Sequence, residues 1–130
     1  MSTTIGKRFT FEAAHRLAGL PDGHKCGRLH GHSYTVEVML TATALSGPGF
    51  VADFAVLDPL KEHLAQTYDH QVLNEVIDAE PTSETLARAL FDWCTANIRL
   101  PGPASFEAVR VSETLATWAE YRRGPLSVGA

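Results

Sequence analysis

Apolar and polar positions alternate with period two over "IGKRFTFEAA", residues 5–14, which predicts a strand with Phe9 and Phe11 on one face. A longer alternation, "HSYTVEVMLTATA" from His32 to Ala44, predicts a second strand. Tyr34, Val36, Val38 and Leu40 fall on one side of it, and Thr35, Glu37, Met39 and Thr41 on the other. Between the two, "LPDGHKCGR" is punctuated by Pro21-Asp22-Gly23 and Gly27 and reads as a loop; "SGPG" at 46–49 reads as a turn. The period then becomes helical. Phe54, Leu57, Leu60 and Leu64 form an apolar stripe on a helix ending near Tyr68. Its start has two solutions: Asp53 caps a helix disturbed at Pro59, or Asp58 caps one with Pro59 in its first position. The next helix opens at Thr82, a good cap after Pro81, and carries Leu86, Ala89, Leu90 and Trp93 on its apolar face. "RLPGP" closes that unit, and two short strands follow at about 105–112 and 117–123. The order strand-strand-helix-helix-strand-strand predicts an α+β fold: a four-stranded antiparallel sheet with two helices packed on one face.

Composition narrows the class without changing this layout. A chain of 130 residues is expected to be one domain, 1–130. A chain of that size buries roughly two thirds of its unfolded surface, so neither disulfides nor a metal are needed merely to fold. The formal charge of −4 and the absence of a basic run argue against a nucleic-acid partner. No apolar run approaches the roughly 18 residues of a membrane span, and no apolar segment follows Lys7 and Arg8 as in a secretory signal. The expectation is a soluble cytoplasmic protein whose two cysteines, Cys26 and Cys94, are free thiols. Cys94, beside Trp93 on an apolar helix face, reads as a core thiol.

The candidate chemistry is concentrated in "HKCGRLHGHSY", residues 24–34. Histidines at i and i+2 point about 200° apart on a helix but to the same side of a strand. His30 and His32 sit where the second strand begins, with Gly31 between them leaving room for a metal. His15, just past the first strand, is the natural third nitrogen. Three imidazoles with no carboxylate nearby suit zinc, and three protein ligands leave a fourth position open for catalysis. Spacing alone leaves a second possibility: Cys26 as the fourth ligand of a closed structural site. In the open site, Cys26 is a proton carrier or nucleophile. "YDHQVLN" supplies the adjacent pair Asp69 and His70, a potential proton relay, although neighbouring side chains rarely bond to one another. Glu113, in "SET", stands near the end of the third strand, and His63 is expected to be exposed and without a partner.

Taken in order and separation, "FEAAHRL", "GHKCGRLHGHSY", "VADF", "YDHQVLN", "PTSETLA" and "SET" resemble the 6-pyruvoyltetrahydropterin synthase family over about residues 5–122. The Cys-x-x-x-His-Gly-His spacing is two residues shorter than is usual in pyruvoyl-forming relatives. It is similar to the branch that makes a 6-carboxy pterin. The resemblance implies zinc ligation by His15, His30 and His32, with Cys26 as catalytic base and Asp69 with His70 as relay. It implies that Glu113 anchors the pterin ring and that Thr82 and Ser83 also contact it; Glu84 belongs to that segment or to the helix start, where a carboxylate is favoured. The implied substrate is a pterin triphosphate, 7,8-dihydroneopterin triphosphate. Lys25 and Arg28 are neighbours for its phosphates on charge alone. The implied fold is the tunnelling fold, a homo-oligomer in which three subunits close their sheets into a barrel and two trimers stack, with sites between subunits. Such closure would cover the sheet edges. Pro59 departs from the family pattern, where a helix former is common. Triphosphate elimination to a pyruvoyl pterin, and a zinc-stabilised binding protein without turnover, are the competing readings.

Overall fold

In a computed structural model, which describes residues 1–124, the chain forms a five-stranded mixed sheet with its helices packed on one face. The notional domain 1–130 includes residues 125–130, which lie outside the described residues. Strand β1 (Thr3–His15) runs antiparallel to β2 (His30–Ala42) in one unbroken register from Thr3↔Ala42 to His15↔His30. The ladder therefore ends with two histidines directly opposite each other. The alternation in β2 holds: Tyr34, Val36, Val38 and Leu40 are fully buried, while the intervening side chains are half-buried. Each such aliphatic side chain contributes about 2 kcal/mol of burial energy. Phe9 and Phe11 join them from β1, and Phe11 stacks on Tyr34 with ring centroids 4.9 Å apart.

The segment from 54 to 68 is a composite. A 3-10 turn (Phe54–Leu57) leads into helix α1 (Asp58–His63), and a π-helical turn (Leu64–Tyr68) follows it. Each of the two predicted starts is met in part: Asp53 caps the 3-10 turn, whereas α1 itself begins at Asp58, without a side-chain cap and undisturbed by Pro59. The Asp53 carboxylate accepts from the Ala55 N–H at 2.9 Å, and Pro59 lies in the first turn of α1, where its missing N–H costs nothing. Leu57, Leu60 and Leu64 are buried as predicted, but Phe54 at the start of the stripe is exposed. Helix α2 (Ser83–Asn97) begins where the sequence places it, with Thr82 Oγ1 accepting from the Thr85 N–H at 3.1 Å. Its core face is Leu86, Ala87, Leu90 and Cys94; Ala89 and Trp93 are only half-buried.

Strand β3 (Gln71–Val72) is the element the sequence reading lacked. It pairs parallel to β1 through Ala13↔Gln71 and Ala14↔Val72, so the sheet is mixed and five-stranded instead of antiparallel and four-stranded. Two residues are too short to display a period. Strands β4 (Ser105–Ser112) and β5 (Ala119–Arg122) complete the order β3-β1-β2-β4-β5. On the face away from the helices, one register row reads Arg8, Glu37, Arg110, Glu120 across four strands. Unlike charges are thus adjacent at every step, with Arg8 Nε 2.6 Å from Glu37 and Arg110 Nη2 3.0 Å from Glu120. Among the described residues, β1 pairs on its outer side at Ala13 and Ala14, and the Glu12 backbone bonds to Asp69 and His70, which leaves its edge from Thr3 to Phe11 open. Among the described residues, no helix is long and apolar enough to cross a membrane.

Candidate metal centre and adjoining cavities

The antiparallel register brings His15 opposite His30, and strand alternation turns His32 to the same helix-facing side. The result is a cluster in which one ring nitrogen from each of the three histidines lies within 4.8 Å of the other two. The rings meet edge to face, with centroids 4.6 to 5.0 Å apart. Backbone carbonyls set the orientation of two of them. His15 Nδ1 donates to the Pro81 carbonyl and His30 Nδ1 to the Arg28 carbonyl, both at 2.7 Å. A carbonyl can only accept, so in the neutral form of each ring the proton resides on Nδ1 and Nε2 keeps its lone pair. The Nε2 atoms of His15 and His32 are buried with no hydrogen-bond partner. Buried ring nitrogens converging without partners in this way are unfavourable unless a further group, such as a cation, lies between them. Tautomer-fixing carbonyl partners are also what histidine ligands commonly show. The cluster could hold a metal ion.

Glu113 changes the expected character of the centre. Its Oε1 lies 3.8 Å from His15 Nε2 and its Oε2 lies 3.6 Å from His32 Nε2. A carboxylate therefore does stand beside the imidazoles, contrary to the expectation from spacing. The cause is non-local: β4 pairs with β2 as far as Ser112↔Thr35, so the residue after it reaches back to the histidines. The His32 imidazole is held below the ordinary histidine range, chiefly by burial and further by His15 and His30, against an upward pull from Glu113. Tyr34, two positions on from His32, floors the cluster with its ring 5.5 Å from that of His32. Its hydroxyl is also buried without a partner, and burial together with Glu113 raises its pKa. Sequence reasoning counted Tyr34 only as core; its shared face with His30 and His32 was the available signal.

Gly31 does not serve metal approach. Alternation puts it on the face opposite the imidazoles, where a Cβ would meet the Ala13 carbonyl at an ordinary 3.6 Å. Cys26 lies in a 3-10 turn (Lys25–Gly27), half-buried, and its backbone N–H donates to His24 Nδ1 at 3.1 Å. Its thiol is not among the clustered ligand atoms, so the geometry provides no closed His-His-His-Cys set. The turn is tied back by the Leu17 N–H donating to the Cys26 carbonyl at 2.9 Å.

Asp69 and His70 bond to each other despite their adjacency, with Asp69 Oδ2 2.8 Å from His70 Nδ1. The backbone explains how: His70 has φ of 60°, a left-handed conformation that bends the chain sharply. The same carboxylate accepts from the Glu12 N–H at 2.8 Å, and both contacts hold its pKa below the usual aspartate range. His70 and His32 border one cavity of about 450 Å³ that also includes Glu12, Gly31 and Ser33. A second cavity, about 600 Å³, is lined by Glu113, Thr82, Ser83, Glu84 and Trp118. The structure thus brings Glu113, Thr82 and Ser83 together, although the Thr82 hydroxyl is already engaged with Thr85. Glu12, Tyr34 and Trp118 are cavity or cluster residues that sequence reasoning missed. His63 is not exposed: its ring stacks on Trp93 at 3.9 Å and 7°, and burial lowers its pKa.

Fold and site together define a protein built around a metal-competent imidazole cluster with a carboxylate at its mouth. A family model described as 6-pyruvoyl tetrahydropterin synthase matches residues 4–124. The 6-carboxy-5,6,7,8-tetrahydropterin synthase of Synechocystis is 41% identical over 127 residues, covering 90% of this chain and 91% of that protein. The Bacillus subtilis protein of the same name is 31% identical over 129 residues, covering 93% and 86%. The structure of Caenorhabditis elegans 6-pyruvoyl tetrahydropterin synthase superposes with a TM-score of 0.80 at 26% identity, covering 95% of this chain and 97% of that one. The chain belongs to the 6-pyruvoyl tetrahydropterin synthase family, and it is an enzyme. The chain has the tunnelling fold of its structural neighbours.

Proposed function

We propose that the protein converts 7,8-dihydroneopterin triphosphate and one water to 6-carboxy-5,6,7,8-tetrahydropterin, acetaldehyde and triphosphate, as a step in queuosine biosynthesis. The observation that carries this reading is the convergence of the His15, His30 and His32 ring nitrogens beside the Glu113 carboxylate. Similarity over nearly the whole chain to relatives named for the 6-carboxy product supports it. So does the Cys26-x-x-x-His30 spacing.

In this reading the three histidines hold zinc, which supplies Lewis acidity toward the vicinal hydroxyls of the substrate side chain. Glu113 holds the guanidine-like edge of the pterin through charge-assisted hydrogen bonds, with Ser83 and the backbone at Thr82 lining the same cavity. Cys26 moves a proton between the side chain and the ring carbon. His70, oriented by Asp69, handles the second proton. The side chain is cut between its first and second carbons.

The same chain is proposed to assemble as a dimer of trimers. The row of alternating charge supports head-to-tail sheet closure. It ends in Arg8 on one flank and Glu120 on the other, so a second copy would continue the alternation.

The test is Cys26→Ala in zinc-loaded protein. Unchanged zinc content with turnover lost supports the assignment; loss of zinc would make Cys26 a ligand and the site structural. The competing reading, formation of a pyruvoyl pterin by triphosphate elimination, draws on the match to the Caenorhabditis elegans fold. Acetaldehyde release separates the two.

A further inference from the structure

Trp118 is an exposed indole in a position where burial gives it no reason to be. It is 59% accessible, yet it is not loose. The Arg110 guanidinium covers its ring with Cζ 4.1 Å from the centroid. Arg110 is itself fixed: its Nε and Nη2 both donate to Glu120 Oε1, at 3.3 and 3.0 Å, from the register partner on β5. The other Glu120 oxygen accepts from Arg122 Nε at 3.0 Å. One side of the indole is thus covered by a cation that cannot easily leave.

The rest of the ring borders the 600 Å³ cavity that also contains Glu113 and Ser83. The chain between Glu113 and Trp118 is a braced turn. The hydroxyls of Thr114 and Thr117 lie 2.8 Å apart, and the Ala116 N–H donates to Thr114 Oγ1 at 3.2 Å. A carboxylate and an aromatic surface are therefore held at a set separation on the wall of one cavity. A carboxylate recognises the polar edge of a heterocycle; an indole recognises its face.

We propose that Trp118 is a specificity-determining residue that stacks on the face of the planar fused-ring heterocycle whose edge Glu113 holds, with Arg110 bracing the indole from behind. The inference rests on the pterin reading above and adds the residue that selects a flat bicyclic ring over an acyclic polyol phosphate.

The experiment measures equilibrium binding of neopterin, and separately of inorganic triphosphate, to the zinc-loaded full chain and to three variants. Trp118→Ala is expected to weaken neopterin at least about tenfold, with triphosphate affinity and zinc content unchanged. Trp118→Phe, which keeps an aromatic face, is expected within about threefold of the parent. Glu113→Gln is expected to weaken neopterin independently. Neopterin affinity within twofold of the parent in Trp118→Ala, or a Trp118→Phe as weak as Trp118→Ala, would overturn the stacking role. If Glu113→Gln still weakens binding in that case, the pterin reading survives alone. A parent chain that carries zinc and does not bind neopterin would overturn both.

Discussion

The Asp69 carboxylate lies 2.8 Å from Nδ1 of its own chain neighbour, His70, and the His70 backbone at φ 60° makes that contact possible. A non-glycine residue in this region costs about 1 kcal/mol. The His70 side chain is largely exposed, so packing does not supply the reason for it. His70→Gly is expected to leave the melting temperature unchanged or slightly higher while turnover is lost. A fall of several degrees would show that the imidazole holds the fold and not the chemistry.

Asp69 also predicts an acid limb. Its folded pKa is depressed by the Glu12 N–H and by His70. The associated stability is present above the ordinary aspartate value and is lost as pH falls through the lower, folded one. Chemical denaturation of Asp69→Asn between pH 2 and 5 should show a flatter dependence on pH than the parent. An identical slope in the two proteins would remove Asp69 from the acid response.

His63 titrates in a different window with the same sign. Burial against Trp93 lowers its folded pKa, so the neutral ring is the one the fold prefers. That stability is full above the unfolded value of 6.5 and declines as pH drops below it. His63→Phe should melt with less dependence on pH between about 5 and 7. Equal dependence would place the transition on another group.

The two thiols should behave oppositely. Cys94 is fully buried on α2, and burial pushes its thiol up to about 12. Cys26 is half-buried in a short turn. A thiol reagent at pH 8 is expected to modify Cys26 in the native protein and Cys94 only after denaturation. Rapid modification of both would mean that α2 opens readily.

Much of the core was legible because its signals are local. The β2 alternation put Tyr34 through Leu40 on one face, and Thr82 marked the start of α2 by its side-chain chemistry alone. His-x-His on a strand was enough to predict that His30 and His32 share a face with His15 across the ladder. What escaped depends on pairing between distant segments. Glu113 reaches the histidines only because β4 registers on β2, and β3 exists only because residues 71–72 meet Ala13 and Ala14. The His63 stack joins two helices whose packing no period reveals. Gly31 was misread for a related reason: its place between two histidines suggested the metal, but alternation sends it to the opposite face.

Metal removal probes the cluster directly. Saturating zinc at about a hundredfold over its dissociation constant adds about 2.7 kcal/mol to folding. The zinc-loaded protein should therefore melt well above the chelated one, and His15→Ala should abolish the difference. A melting temperature indifferent to zinc would leave the converging Nε2 atoms of His15 and His32 without a metal role.

The most direct measurement is product analysis. Zinc-loaded protein is incubated with 7,8-dihydroneopterin triphosphate, acetaldehyde is assayed, and the pterin is identified by mass. Acetaldehyde in equal amount to a 6-carboxy pterin is the predicted result. Triphosphate with a pyruvoyl pterin and no acetaldehyde, or no turnover by folded, zinc-bound protein, would contradict it.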